Sequence, residues 1–298
     1  LVAPASERGW SPIGDSLILS VLSELQRRVA IDPDRIYLTG QSMGGHLAWR
    51  STVNFSDTYA AFLPMSGGYP EWADGKNETL YNAWDTVGYH TWGESEIYDL
   101  DLTNEAIAEF LTQHGYAWHG ESAAGEHPIA TDKFDAIVAA IGEVSRQLYA
   151  PTLYFRGGGA MQYVANWDIE SWPEHTISAT RPLMYNSHRF VRLGVRDDDL
   201  TKVQYIRGRV QPGNIIELTT QEVRRLTVML HPDLGIDLAA PVTIKVNGAV
   251  AFTGVVAPDL GRMLDLVREY DDRGRIFHGF VDLDVNTDAI VGPPWQAE

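Results

Sequence analysis

Arg35-Ile36-Tyr37-Leu38-Thr39-Gly40-Gln41-Ser42-Met43-Gly44-Gly45-His46 is the stretch that decides the fold of this chain. Arg35 to Thr39 has the β-branched and aromatic content of a buried strand. Met43 to about Asn54 reads as a helix. Ser42 therefore stands at a tight strand-to-helix turn. Gly40-Gln41-Ser42-Met43-Gly44 fits Gly-x-Ser-x-Gly, whose glycines leave room where side chains would clash with the turn. Such a turn projects its serine outward. The helix N-terminus behind it favours negative charge developing nearby. Ser42 is thus a candidate nucleophile, and the backbone N–H of Met43 a candidate oxyanion donor. The alternative is a tight turn with an incidental serine.

The pattern continues on both sides. Leu1 to Ala3 reads as a short strand and Ile13 to Val29 as an amphipathic helix, with Ile13, Leu17, Val21, Leu22 and Leu25 on one face. Asp32-Pro33-Asp34 is a turn. Ala61 to Met65 reads as a strand ended by Ser66-Gly67-Gly68, and Thr86 to Thr91 as another. Thr103 to His114 is a helix stopped by Gly115. Tyr116 to His119 is a short strand, and Phe134 to Leu148 a helix. Strands alternating with helices imply an α/β fold with a parallel sheet covered on both faces. After Pro151 the pattern changes. Residues 151–200 read as a connecting segment, with Gly157-Gly158-Gly159 and an aromatic, loop-like Trp167 to Arg181. From 201 to 298 the chain reads as a small β-rich domain with one helix, Pro258 to Tyr270. Asn247-Gly248 marks a hairpin there. The expected organisation is a catalytic domain over 1–150, the connection, and the β-rich domain.

A nucleophilic serine needs a base, and the base an orienting acid, in the order serine, acid, histidine for this kind of elbow. The strand through Val87 to Trp92 runs into Gly93-Glu94-Ser95-Glu96. Glu96 is the chosen acid, with Glu94 and Asp99 as runners-up. His127, in the small-residue loop after the next strand, is the chosen base, with His119 second. The gaps between Ser42, Glu96 and His127 hold a strand, a helix and short loops, with no large inserted lid. Gln41, Tyr69, Trp72 and Trp92 are expected to line the substrate site, among a wider aromatic group with Trp84 and Tyr89. Each ring could equally pack under a loop. A competing reading makes His114, His119, Glu121, Glu126 and His127 metal ligands, but their spacing matches no compact metal motif. Gly157-Gly158-Gly159 lacks the Lys-Ser/Thr of a phosphate loop.

Composition narrows the partners. The chain has 298 residues and a formal net charge of -17, which disfavours nucleic acid and anionic membranes by repelling phosphates. It has no cysteine, which excludes disulfides and thiolate chemistry but decides no compartment. No apolar run approaches the roughly 18 residues of a membrane span. Leu1-Val2-Ala3-Pro4 lacks the zones of a signal peptide, as an already processed start also would. The expectation is a soluble protein, cytoplasmic or secreted.

Ile31 to Gly45 resembles bacterial esterases and peptidase-like members of the α/β-hydrolase superfamily, nearest to the feruloyl-esterase, polyhydroxybutyrate-depolymerase and prolyl-oligopeptidase-like groups. The resemblance extends to Phe62-Leu63-Pro64-Met65-Ser66-Gly67-Gly68 and to His127, roughly the first half of the chain. It implies hydrolysis of a small or polymer-linked ester through an acyl-enzyme, without metal or organic cofactor. Ser42 would attack, His127 would act as base and then acid, and Glu96 would hold His127. The β-rich half resembles appendages beside such hydrolases. The family has about three further strands before the point where this chain begins, and the loop after the third supplies a second oxyanion donor. Either the recorded chain is a fragment or another segment fills that role; losing one donor lowers rates about 100- to 1000-fold. Exposed sheet edges would favour a homo-oligomer. Two further readings stand: a peptidase or other acyl hydrolase, and a non-catalytic hydrolase-like binding or scaffold protein.

Overall fold

The computed structural model describes residues 12–69, 77–158, 186–194 and 202–296. The expected strand at Leu1 to Ala3, the loop at Trp167 to Arg181, and Trp72 lie outside them. The chain divides into two compact units, Leu1–Gln147 and Leu148–Glu298.

The first unit is α/β. Its helices are α1 (Pro12–Arg28), α2 (Met43–Asn54), α3 (Leu100–Gln113) and α4 (Phe134–Ile141). Its strands are β1 (Tyr37–Gln41), β2 (Ala61–Met65), β3 (Val87–Gly93) and β4 (Trp118–Ala123), in the spatial order β1-β2-β3-β4 with every pair parallel. Parallel strands that follow one another in the chain need a crossover between each pair. Here α2 and α3 serve two of the three. Because the strands run the same way, the loops that leave their carboxyl ends gather along one edge. β2 is buried along its whole length, as its apolar Ala-Phe-Leu-Pro-Met run requires. The turn at Asp32 is capped by its own side chain, with Asp34 N donating to Asp32 Oδ1 at 3.0 Å. Asp34 then receives Arg146 Nε and Nη2 at 3.1 and 2.8 Å, tying the end of the unit to the start of β1. Helix α4 stops at Ile141, short of the expected Leu148. Gly142 follows it, and helix propensity is lost there.

The core behind β3 and α3 holds a polar group. His90 is 1% exposed and lies among the rings of Trp49, Trp92 and Trp118, at centroid distances of 5.2, 4.7 and 6.4 Å. Burial pulls its pKa down to about 3, against a smaller opposing pull from the Asn104 backbone. The folded state thus keeps His90 neutral, while an unfolded histidine protonates near pH 6.5. The unfolded chain binds the extra proton between those values, so this contribution to stability is complete above pH 6.5. It is lost as pH falls towards 3, at about 1.4 kcal/mol per pH unit. Urea unfolding between pH 7 and 4.5 should show that extra slope in the wild type and its loss in His90→Leu.

The second unit is β-rich. It contains β5 (Thr152–Gly158), β6 (Ser187–His188), β7 (Val191–Leu193), β8 (Val203–Gln211), β9 (Ile215–Gln221), β10 (Arg225–Leu230), β11 (Val242–Val246), β12 (Ala249–Gly254), α5 (Leu260–Tyr270) and β13 (Gly279–Asp284). They form a five-stranded sheet, β12-β11-β9-β8-β5, and a four-stranded sheet, β13-β10-β7-β6. One apolar core takes Ile216, Leu218 and Ile244 from the first sheet and Val191, Val228 and Leu230 from the second. Alternating burial along β8, β9 and β11 is the period-two pattern of strands with one face on a core. The hairpin at Asn247-Gly248 is present, with φ of 51° and 82° at the two turn residues, as a primed two-residue turn requires. Within residues 151–200, β5 pairs with β8, and β7 with β10, so these segments belong to the sheets of this unit.

Candidate active site

Ser42 follows β1 directly and caps α2, with φ 56° and ψ −119°. This is a costly conformation for a residue with a Cβ, about 1–3 kcal/mol, and it persists only where the surroundings impose it. Two backbone bonds do so: Ser42 N donates to Met65 O at 2.9 Å, and His46 N donates to Ser42 O at 3.0 Å. The sequence explains the tight approach. A Cβ on Gly40 would lie 2.2 Å from Gly44 O, inside backbone that cannot move away. At Gly44 itself a Cβ would meet nothing within 4 Å. The two motif glycines therefore differ. Gly40→Ala is expected to destabilise the protein by about 3 kcal/mol or more. Gly44→Ala should be neutral or stabilising by about 0.5–1 kcal/mol, since alanine is the better helix former. Urea midpoints of the two variants check this.

Glu96 and His127 come together. His127 Nδ1 lies 2.5 Å from Glu96 Oε2, and the carboxylate side chain is fully buried. Its other oxygen, Oε1, accepts from Gly93 N at 2.7 Å. A carboxylate only accepts, so Nδ1 carries the proton and the neutral ring keeps its lone pair on Nε2. That Nε2 is buried with no hydrogen-bond partner among the described residues. The bond between His127 and Ser42 is therefore not formed in this arrangement. The His127 loop nonetheless crosses the elbow, since Gln41 Nε2 donates to His127 O at 3.4 Å. It also packs on the end of β3. A Cβ at Gly93 would stand 2.6 Å from Gly125 O and 2.8 Å from Glu126 O. The first turn of α2 has no internal partners for its N–H groups, and Met43 N is one of these.

The other expected residues fall elsewhere. Glu94 and Asp99 are exposed. His119 is exposed on β4, with Glu121 3.7 Å away. Glu121 is held by the Tyr89 hydroxyl and by Lys133 Nζ, the latter at 2.9 Å. His114 bonds its own helix at Phe110 O. The alternative metal set is thus dispersed, and among the described residues no group of three or more histidines and acids is placed to hold a metal. Tyr69 and Trp92 are interior side chains, 3% and 4% exposed, packed near Trp49 and His90 respectively. The expectation that they line an open mouth gives way to packing: neither offers an open ring face as placed here. Trp84 Nε1 donates to His114 O. Gln41 Nε2 donates to His127 O in the His127 loop.

Three neighbours of the site went unread in the sequence. His46, Trp49 and Ser66 hold the turn after β2 against α2 and the His127 loop. His46 Nδ1 lies 2.7 Å from Gly68 O, Trp49 Nε1 donates to Gly67 O at 3.0 Å, and Ser66 Oγ donates to Pro128 O at 2.9 Å. The signal was available. His46 and Trp49 stand four and seven residues beyond Ser42, which places them on one helix face with it.

No family model matches the chain, and no curated protein does. Among solved structures it is similar to esterase PE8, at 19% identity and a TM-score of 0.37, over 44% of this chain and 60% of that one. It is similar to SOBER1 of Arabidopsis thaliana, at 17% identity and a TM-score of 0.36, over 47% and 66%. It is also similar to the S-formylglutathione hydrolase FrmB of Staphylococcus aureus, at 20% identity and a TM-score of 0.34, over 43% and 58%. The matched part of the chain thus spans less than two thirds of each of these relatives. No helix among the described residues is long and apolar enough to cross a membrane.

Proposed function

We propose that the chain is a serine hydrolase of the α/β-hydrolase type that cleaves carboxylic esters through an acyl-enzyme. The observation that carries this reading is the buried Glu96–His127 pair, 2.5 Å apart, whose loop lies across a strained Ser42 elbow. Ser42 Oγ attacks the ester carbonyl carbon as its proton passes to His127 Nε2, the nitrogen that Glu96 leaves with a lone pair. Negative charge on the carbonyl oxygen develops beside Met43 N–H at the start of α2. The C–O bond to the alcohol then breaks, and His127 returns the proton to the departing oxygen. Water repeats the sequence on the acyl-enzyme: it gives its proton to Nε2, attacks the carbonyl, and releases the acid and free Ser42. Every step uses groups of the chain and water. Glu96 stays ionised throughout and steadies the imidazolium.

The acyl group and alcohol are open to a matched panel. Short-chain p-nitrophenyl esters and the corresponding p-nitroanilides offer the same acyl groups with different leaving groups. Clear turnover of the esters and far slower cleavage of the anilides are expected. Comparable turnover of both would move the assignment to a peptidase. No turnover of either by the folded chain would favour the binding or scaffold reading.

A further inference from the structure

The turn Ser66-Gly67-Gly68 lies against both the first turn of α2 and the His127 loop, yet supplies no reacting atom. It starts where Met65 O receives Ser42 N. Ser66 has φ 46°, its N donates to Thr91 O at 2.8 Å, and its hydroxyl donates to Pro128 O in the His127 loop. Gly67 lies directly on the first turn of α2: a Cβ there would be 2.6 Å from His46 N. Two ring N–H groups on one face of α2 then take two successive carbonyls of the turn. Trp49 takes Gly67 O at 3.0 Å and His46 takes Gly68 O at 2.7 Å. A carbonyl only accepts, so His46 carries its proton on Nδ1. Burial lowers the pKa of His46, and the bond to Gly68 O opposes this. It is therefore neutral at neutral pH and adds no repulsion when His127 becomes an imidazolium.

We propose that His46 is a positioning residue: its Nδ1–H clamps Gly68 O, and so holds the Ser66–Gly68 turn that keeps the Ser42 elbow and the His127 loop in register. This rests on the hydrolase reading above. Trp49 is wholly buried and serves the core as well, so His46 is the separable half of the clamp. Misplacement of reacting groups by about 1 Å lowers rates about 100-fold. His46→Leu keeps bulk and removes the donor. It is expected to lower kcat for p-nitrophenyl acetate about 10- to 100-fold with KM little changed. His46→Asn replaces Nδ1 by an amide N–H at nearly the same reach and should recover most of that loss. Fluorophosphonate labelling of Ser42 should slow in His46→Leu and recover in His46→Asn. If His46→Leu fails to fold, the comparison is His46→Asn against His46→Gln, whose amide reaches one atom too far. Fast Asn and slow Gln support the clamp, and equal rates overturn it. A folded His46→Leu with wild-type kcat, or an Asn variant as slow as Leu, also overturns it and leaves the hydrolase reading intact. A wild-type chain that neither turns over ester nor labels at Ser42 overturns that reading and this inference together.

Discussion

Ser42→Ala is expected to lower kcat for a short-chain p-nitrophenyl ester by about 10⁴- to 10⁶-fold. The size of the effect follows from the mechanism: without Oγ there is no acyl-enzyme, and His127 has no proton to take. The variant should keep its fold. Ser42 is held by its backbone, through Met65 O and His46 N, and its side chain makes no capping bond to α2. Alanine carries the same Cβ into the same φ of 56°, so the elbow is no more strained than before. Stability should change by no more than about 0.5 kcal/mol. Steady-state kinetics and a urea titration on the same preparation separate lost chemistry from lost fold.

Glu96→Gln is expected to lower kcat by about 10⁴-fold. The carboxylate accepts two N–H groups at once, Gly93 N at 2.7 Å and His127 Nδ1 at 2.5 Å. A glutamine has one oxygen and one NH₂. If the oxygen faces His127, the NH₂ is driven against the Gly93 N–H, a buried donor facing a donor. If the oxygen faces Gly93, the NH₂ faces Nδ1 and can be satisfied only when Nδ1 loses its proton. The neutral ring then carries its proton on Nε2 and cannot accept that of Ser42. The second arrangement relieves the backbone, so it should prevail. The kinetic signature is a large fall in kcat with a small change in KM, because substrate binding does not use the pair. Glu94→Gln, at an exposed position two residues away, should leave kcat unchanged.

The tight turn at Ser42 and the meeting of Glu96 with His127 were legible because their signals are local. Gly40 to Gly44 are contiguous, and the clash that requires Gly40 is with Gly44, four residues on. Glu96 and His127 each follow a strand of a parallel sheet, so chain order alone carries them to the same edge. The boundaries of α2 and β2 match their sequence readings for the same reason, as each is ended by its own residues. Side-chain direction was not legible. Tyr69, between Gly68 and Pro70, and Trp92, between Thr91 and Gly93, fit a mouth or a core equally well, and His90 beside Trp92 is covered by Trp49 of α2 and Trp118 of the neighbouring strand β4. His46 and Ser66 were missed because their partners are backbone carbonyls, which no residue type announces. Thr152–Gly158 read as a connection because Gly157-Gly158-Gly159 signals a loop. Its pairing with Val203–Gln211 is a long-range contact that supplies what local propensity lacks.

A covalent label tests directly whether Ser42 is the nucleophile. A fluorophosphonate is added to the purified chain and the adduct is mapped by mass spectrometry. One stoichiometric adduct is expected on Ser42, abolished in Ser42→Ala and strongly slowed in Glu96→Gln. A folded chain that takes no label, or takes it on another residue at the same rate in Ser42→Ala, would rule out Ser42 as the nucleophile.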